Sequence, residues 1–286
     1  MRIILFLISS LLLNVSFAKV FNYQTDSFAD IATLYEKTVT NPENTLMVFD
    51  IDDTLLTMTE SLGSVGWWDW QHELQKSKKQ TDKLFTADYD QLVRIQNILF
   101  QLIKMDVTDE YVIPFLKDTT SQGTTIMGLT ARGKEHLSAT LMQLKDNKFT
   151  VDNQPLFQEK GLKFLNNKTS EAGYVHCPQF TKEVIYQQGI MFLDSEDKGQ
   201  ALLCALTKTK KDIKTIIFVD DVRANVLSIE KAFANRADIQ VLNILYTKEN
   251  AKELEIQHNP LLQAHLFDQW TTIKKALNEI TTHSNF

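Results

Sequence analysis

The sequence predicts an α/β fold with a parallel, doubly wound sheet of the Rossmann-like kind. Three short, mostly apolar runs, at residues 45–49, 124–129 and 215–219, each end in polar residues. Continuous runs of this length are typical of strands that are buried on both faces of a sheet. Helical patterns follow the second and third runs, at residues 134–148 and 225–235. Strands that alternate with helices indicate a parallel sheet, which binds ligands at the carboxyl ends of its strands.

The remaining elements follow in chain order. Apolar residues at helical spacing predict a helix over residues 28–39, and we expect the mature chain to open with it. Two apolar triplets, at residues 184–186 and 190–192, are joined by a turn that contains glycine and predict a β-hairpin. Residues 239–246 predict a further strand, and residues 268–282 predict a closing helix.

The interval between the first two predicted strands is far longer than one crossover helix requires. A helical pattern at residues 92–102 predicts that this interval, residues 57–120, is a mainly helical cap inserted into the core. The core would then consist of residues 19–56 and 121–286. A tryptophan-rich run at residues 67–70 has two interpretations. It either clamps an aromatic or sugar-bearing substrate, or forms an apolar seam between cap and core.

The first 18 residues predict a secretory signal. Arg2 supplies a positive charge, residues 3–13 are mainly apolar, and Ser16-Phe17-Ala18 places small residues at a cleavage site. Cleavage after this alanine predicts an exported protein, periplasmic or secreted, with no stable membrane insertion. The alternative is an uncut membrane anchor, for which the apolar stretch is short.

Cysteine and histidine usage gives little evidence for a metal site. Cys177 and Cys204 are the two cysteines of the chain, and their spacing does not suit structural zinc. We expect two buried thiols, with a disulfide as the alternative that export permits. The six histidines are scattered without metal-ligand spacing, so none of them, His136 included, is assigned a role.

Composition and charge exclude several classes of protein. The chain is 43% hydrophobic and 23% charged, which is typical of a globular protein and not of a disordered one. Its formal net charge of −6 argues against a broad basic surface, so we expect no nucleic-acid partner. Binding of phosphate would therefore depend on a metal ion or on a few well-placed cations.

Carboxylates end two of the predicted strands. Asp50 and Asp52 follow the first strand, and Asp220 and Asp221 follow the third. Parallel strands deliver such residues to one edge of the sheet, where crowded carboxylates favour a shared cation. Ligands that are all oxygen point to a hard ion such as Mg²⁺. The alternative for the first pair is a solvated acidic turn.

Two further residues complete a phosphate-handling pattern. Thr130 ends the second strand and offers a hydroxyl group, and Lys198 offers a cation at the start of a predicted helix. A metal between aspartates, with a hydroxyl and a lysine, is what phosphoryl transfer through an aspartyl-phosphate requires. Arg132 either assists phosphate binding or is a surface residue at a helix start.

This set resembles, in order, the four motifs of the haloacid dehalogenase (HAD) superfamily. The resemblance covers about residues 44–56 and 122–246, and leaves the cap and residues 150–190 unassigned. The motif residues are Asp50-x-Asp52-x-Thr54, Thr130, Lys198 and Asp220-Asp221.

The resemblance implies a role for each of these residues. Asp50 would be the nucleophile, and Asp52 the general acid and base. Thr130 and Lys198 would bind the phosphoryl oxygens. Dehalogenases and phosphonatases of the superfamily generally lack an aspartate at the position of Asp52, so its presence favours hydrolysis of phosphate esters.

The resemblance also implies a metal site. Mg²⁺ would be held by Asp50, by the backbone carbonyl of Asp52 and by Asp220. Asp221 would be either a further ligand or a residue that orients water.

The function that follows is an exported, Mg²⁺-dependent phosphatase that acts on a small phosphorylated substrate. Export together with the motif at residues 49–54 also resembles the secreted acid phosphatases of bacteria, although this chain is longer and its insertion is larger. A phosphotransferase with the same aspartyl-phosphate would share this sequence pattern. The alternative from another class is a catalytically weak binding or effector protein that engages a protein partner through its cap.

Overall fold

The computed structural model describes residues 19–78, 81–157, 173–209 and 211–283. The predicted signal at residues 1–18 lies outside these described residues. The strands are β1 (Lys19–Thr25), β2 (Thr45–Phe49), β3 (Leu56–Met58), β4 (Met105–Val107), β5 (Thr125–Thr130), β6 (Thr150–Val151), β7 (Gln154–Pro155), β8 (Ile185–Gln187), β9 (Ile190–Phe192), β10 (Thr215–Asp220) and β11 (Gln240–Tyr246). The helices are α1 (Phe28–Thr38), α2 (Val65–Ser77), α3 (Tyr89–Leu102), α4 (Val112–Ser121), α5 (Leu137–Asp146), α6 (Lys198–Lys208), α7 (Arg223–Phe233), α8 (Asn250–His258) and α9 (Pro260–His283).

A seven-stranded sheet in the order β1-β11-β10-β2-β5-β9-β8 organises the fold. All its neighbouring strands are parallel except the hairpin of β8 and β9. Successive residues of β2 join two different apolar clusters: Met47 and Phe49 pack on one face, and Leu46 and Val48 on the other. The sheet is therefore covered on both faces, and the predicted α/β fold is confirmed.

The two ends of the described chain differ from expectation. The chain does not open with α1, because β1 precedes it and forms the edge of the sheet beside β11. Phe21 and Tyr23 of β1 are exposed, so this strand lacks the continuous burial that marks the central strands. The predicted closing helix is present but begins at Pro260, whose missing N–H suits a first helical turn. Asn259 caps this turn by accepting a backbone N–H at 3.1 Å.

The interval between β2 and β5 contains α2, α3 and α4 together with a small antiparallel pair of β3 and β4. Helix α2 packs closely on α8, because a Cβ at Gly66 would lie 2.8 Å from the Cα of Glu253. Trp67 is buried against Phe85, and Phe85 in turn stacks on Trp270 of α9. Part of the tryptophan run is therefore an apolar seam. The division into core and cap remains a prediction.

Cys177 and Cys204 form a disulfide, so the expectation of two free thiols is wrong. Their Cα atoms are 6.3 Å apart, within the range that a disulfide can bridge. The bond joins the segment before β8 to α6, the helix that begins at Lys198. Among the described residues, no helix combines the length and the apolar character that a membrane span requires.

We expect the double replacement Cys177→Ser with Cys204→Ser to lower the free energy of unfolding by about 3 to 4 kcal/mol. The disulfide closes a loop with a sequence separation of 27, and its removal returns conformational entropy to the unfolded chain. Urea denaturation measures the loss. A reducing agent should reproduce it in the wild-type protein and leave the variant unchanged. Titration of two free thiols in the native, unreduced protein would contradict the prediction.

Candidate active site

Three carboxylates converge where two central strands end. Asp50 directly follows β2, and Asp220 is the last residue of β10, which runs parallel beside β2. The Asp50 amide donates to the carbonyl oxygen of Val219 at 3.0 Å, which aligns the two strand ends. One carboxylate oxygen from each of Asp50, Asp220 and Asp221 lies within 4.8 Å of the other two. This buried group of oxygen ligands could hold a metal ion.

Lys198 lies behind these carboxylates as the first residue of α6. Its Nζ atom is 2.7 Å from Asp50 Oδ1 and 2.7 Å from Asp220 Oδ2. The position of α6 depends on its contact with α7, because a Cβ at Gly199 would clash with the backbone of Ser228. Burial alone would lower the pKa of Lys198, but the two carboxylates outweigh burial and hold this pKa above its ordinary value. The lysine is therefore a permanent buried cation.

Asp220 and Asp221 have different environments. Asp220 Oδ1 accepts hydrogen bonds from a backbone amide and from the Asn225 side chain, both at 2.9 Å, and its Oδ2 accepts one from Lys198. Asp221 accepts one from the hydroxyl of Thr54 at 3.2 Å, and it lines a cavity at this edge of the sheet. Asp220 thus positions the lysine, whereas Asp221 faces the space where a ligand would bind.

Asp52 is held by Arg132. The guanidinium donates two hydrogen bonds, from Nε to Oδ2 at 2.8 Å and from an η nitrogen to Oδ1 at 2.7 Å. Such a paired contact fixes both the position and the plane of a carboxylate. The alternative of a solvated acidic turn does not describe this residue, because its side chain is only 20% exposed.

Arg132 is itself buried, so its interpretation as a surface residue is wrong. It donates to the Thr140 hydroxyl at 2.7 Å and to Gln143 Oε1 at 2.8 Å, both on α5. Its guanidinium carbon lies 4.0 Å from the ring centroid of Phe100. These partners hold the guanidinium in place, and the guanidinium in turn orients the carboxylate of Asp52. We did not predict this role for Arg132.

Thr130 lies beneath the cavity. It is the last residue of β5, is fully buried, and accepts a hydrogen bond from the backbone amide of Arg132 at 3.2 Å. The hydroxyl therefore shapes the loop that follows the strand. Ala131 and Gly133 of this loop line the cavity, whereas Thr130 and Lys198, which we expected to bind the phosphoryl oxygens, are not among the described residues that line it.

Burial and the neighbouring negative charges raise the pKa values of two of these carboxylates. Burial raises the pKa of Asp50 to about 7; Lys198 opposes this rise, and the Asp220 charge adds to it. Burial, followed by the charges of Asp220 and Asp50, raises the pKa of Asp221 well above its ordinary value. A bound cation would relieve this repulsion, so the residues present fit a divalent metal ion.

The cavity has a volume of about 220 Å³. Asp50, Asp52 and Asp221 line it at the sheet edge, and residues of α2 and α3 supply another part of its wall. Trp68 belongs to that part, so the tryptophan run both lines the cavity and forms the seam. His136, to which we assigned no role, also lines it. No spacing rule identifies a lone histidine of this kind in a sequence.

Comparisons with known proteins add a family and two distant similarities. A family model described as "Protein of unknown function (DUF2608)" matches residues 24–282. A Chlamydia pneumoniae protein whose description names the outer membrane is 24% identical over 241 residues, which cover 83% of this chain and 81% of that protein. A class C acid phosphatase from Bacillus anthracis, solved with tungstate bound, shows 16% identity and a TM-score of 0.35, with coverage of 82% of this chain and 85% of that one.

Proposed function

The chain belongs to this DUF2608 family, and we propose that it is an exported, Mg²⁺-dependent phosphatase of the HAD type that hydrolyses a phosphomonoester. The observation that carries the proposal is the geometry around Asp50. Its carboxylate lines a cavity together with Asp52 and Asp221 and contacts the buried Lys198 at 2.7 Å. A nucleophile, an acid and base, and a fixed cation thus meet in one place.

The reaction begins at Asp50. A carboxylate oxygen attacks the phosphorus atom and forms a P–O bond, while the bond from phosphorus to the alcohol oxygen breaks. Asp52 acts in its protonated form: it gives that proton to the departing oxygen, and the resulting carboxylate then takes one from the water that attacks the aspartyl-phosphate. The second attack breaks the bond to Asp50 and releases inorganic phosphate. Arg132 keeps the Asp52 carboxylate in place between the two steps.

The fixed charges of the site prepare Asp50 for this attack. Lys198 opposes protonation of Asp50, so it favours the ionised carboxylate that acts as nucleophile. Asp220 holds the lysine from the other side at 2.7 Å. Thr130 supports the loop of residues 131–133, and these three residues line the cavity.

Oxygen donors and the excess of negative charge favour Mg²⁺ as the metal. Asp50, the backbone carbonyl of Asp52, Asp220 and Asp221 are the residues that would hold it, and Asp221, which directly follows β10, lines the cavity. When bound, the ion supplies positive charge that stabilises the phosphoryl oxygens.

Two observations support export. The Cys177–Cys204 disulfide suits an oxidising compartment such as the periplasm or the exterior. The Chlamydia relative carries a description that names the outer membrane. A protein that leaves the cytoplasm and hydrolyses phosphate esters would meet small phosphorylated compounds in the periplasm or outside the cell.

We expect millimolar Mg²⁺ to raise the melting temperature of the purified, EDTA-treated protein by about 5 to 10 °C. An ion present at about 100 times its dissociation constant stabilises the folded state by roughly 2.7 kcal/mol. Asp221→Asn removes a carboxylate that lines the cavity and should abolish most of the rise in melting temperature. Hydrolysis of 4-nitrophenyl phosphate, measured in parallel, should require the ion.

Asp212→Asn is the matched control, because this aspartate is largely exposed and pairs with Lys214 at the surface. It should keep the full thermal shift and full activity. Equal shifts in the two variants would place the ion elsewhere. Absence of any hydrolysis in the presence of divalent ions would reject the phosphatase and favour a binding protein.

A further inference from the structure

The cavity wall that α2 and α3 supply is largely aromatic. Trp68, Tyr89 and Phe100 all line the cavity. The rings of Trp68 and Tyr89 meet edge to face, with centroids 6.0 Å apart. Such a surface favours a flat, apolar group over a flexible polar one. The phosphoryl group would not contact this surface, because the carboxylates and Lys198 lie at the sheet edge.

Gln96 places a polar atom without a partner in the same wall. The residue is 6% exposed, and its Nε2 donates to the carbonyl oxygen of Gly63 at 2.7 Å. This bond fixes the orientation of the amide, since a flipped amide would set two oxygens against each other. Gln96 Oε1 is then left buried with no hydrogen-bond partner among the described residues. A buried acceptor in this state costs stability unless a ligand or water donates to it.

His136 adds a second buried polar group to the cavity. The residue is 6% exposed, both ring nitrogens are buried, and a hydrogen bond with the backbone of Val93 opposes the lowering of its pKa. Glu135 Oε1 approaches Nδ1 at 3.4 Å. Burial, together with the nearby Arg132 charge, lowers the pKa of His136 to about 4. The ring is therefore neutral near pH 7 and offers one donor and one acceptor.

Charge restricts the ligand further. Asp69, Glu135 and Asp194 line the cavity in addition to the carboxylates of the sheet edge. Arg132 is the cation in its lining, and Asp52 already pairs with it. A second anionic group on the ligand would meet these carboxylates, and the described lining offers no further cation to balance it. The wall therefore favours a neutral group.

Volume sets an upper limit on the size of the ligand. A cavity of roughly 150 Å³ can hold benzene. The 220 Å³ of this cavity leaves room for one ring and a phosphoryl group. A leaving group with several rings would have to extend outside.

We infer that the substrate is the phosphate monoester of a neutral alcohol or phenol with a single aromatic ring and an N–H or O–H donor. Trp68 and Tyr89 contact the ring, and Gln96 Oε1 accepts from the donor. This inference rests on the proposed function, because it takes the sheet edge as the phosphoryl site.

Phosphonates test the inference without turnover, since their P–C bond is not hydrolysed. Isothermal titration calorimetry with the Mg²⁺-loaded protein should show that benzylphosphonate binds about tenfold tighter than propylphosphonate. The better of 3-amino- and 4-aminobenzylphosphonate should bind roughly fivefold tighter again, because its N–H satisfies a buried acceptor. 4-Carboxybenzylphosphonate should bind at least about tenfold weaker than benzylphosphonate.

Gln96→Met removes the acceptor and should abolish the advantage of the amino group while it keeps the preference for the benzyl ring. Gln101→Met is the matched control, since Gln101 is exposed on the same helix. It should keep both preferences. Equal binding of benzyl- and propylphosphonate to the wild-type protein would overturn the inference, and so would an amino advantage that survives in folded Gln96→Met.

The two proposals fail in different ways. Hydrolysis of 4-nitrophenyl phosphate with no preference among the phosphonates rejects the assignment of the substrate and keeps the phosphatase. The expected order of phosphonate affinities without any hydrolysis keeps the aromatic site and rejects the phosphatase.

Discussion

Lys198→Met is expected to lower the free energy of unfolding by roughly 3 to 5 kcal/mol, the cost of leaving a buried ion pair without one partner. Lys198 is 2% exposed and contacts both Asp50 and Asp220 at 2.7 Å. Methionine fills a similar volume but leaves two buried carboxylates without their cation. Urea denaturation in the absence of divalent ions measures the loss.

The matched control is Lys214→Met, because Lys214 pairs with Asp212 at the surface, where both side chains are more than half exposed. Exposed pairs contribute at most about 1 kcal/mol. Mg²⁺ should restore part of the stability of Lys198→Met, since the ion can replace the lost positive charge. Equal losses in the two lysine variants would show that Lys198 does not balance the buried carboxylates.

The pH dependence of Lys198→Met follows from Asp50. In the wild-type protein the pKa of Asp50 is raised from 3.8 to about 7, although Lys198 opposes the rise. Because of the raised pKa, the folded state binds the Asp50 proton more tightly than the unfolded state does. This proton therefore stabilises the folded state fully below pH 3.8, and the stabilisation is lost as the pH rises through about 7. Removal of the lysine raises this pKa further. The stability deficit of the variant should therefore shrink as the pH falls below 7.

The residues that end the central strands could be predicted from the sequence, and the reason is topological. The apolar residues of β2 and β10 form short continuous runs that only a sheet covered on both faces explains. Once both strands are parallel, Asp50 and Asp220 must meet at one edge of the sheet. No side-chain detail is needed for this step, which is why the convergence of Asp50, Asp220 and Asp221 could be expected from the sequence.

The role of Arg132 depends on side chains that are distant in the sequence. Phe100 lies on α3, Arg132 follows β5 and Asp52 follows β2, so the three residues are far apart in the sequence. One local signal existed: Thr140 and Gln143 lie three residues apart on α5, and both are buried. Polar residues at this spacing on a buried helix face indicate a polar partner that the core must accommodate.

The disulfide and the edge strand could not be predicted for a different reason. Cys204 lies in an apolar run, and such a run is equally compatible with a buried thiol and with a buried disulfide. Only the contact between the segment before β8 and helix α6 decides between them. Strand β1 alternates aromatic and polar residues over a short stretch, which is a weaker signal than the continuous runs. Among the described strands, it pairs with β11 alone, so its side chains are less continuously buried.

Asp50→Asn is expected to reduce the turnover of 4-nitrophenyl phosphate at least about 10³-fold while the protein stays folded. The amide keeps the shape of the side chain but cannot act as the attacking oxygen nucleophile. It also removes one of three crowded carboxylates, so repulsion with Asp220 and Asp221 decreases. Steady-state kinetics at saturating Mg²⁺ measures the change, and Asp212→Asn is the matched control that should keep wild-type turnover.

The stability of Asp50→Asn separates loss of chemistry from loss of fold. Above pH 7 Asp50 is charged in the folded state and the burial of this charge costs stability, whereas the amide has no charge to bury. Asp50→Asn should therefore unfold at an equal or higher urea concentration than the wild-type protein at pH 8, and its stability should change less between pH 4 and pH 7. Intact mass spectrometry after rapid acid quenching should detect a phosphoryl adduct on the wild-type protein and none on the variant. An adduct that persists in Asp50→Asn, or turnover within tenfold of the wild-type value, would mean that another residue attacks the phosphorus.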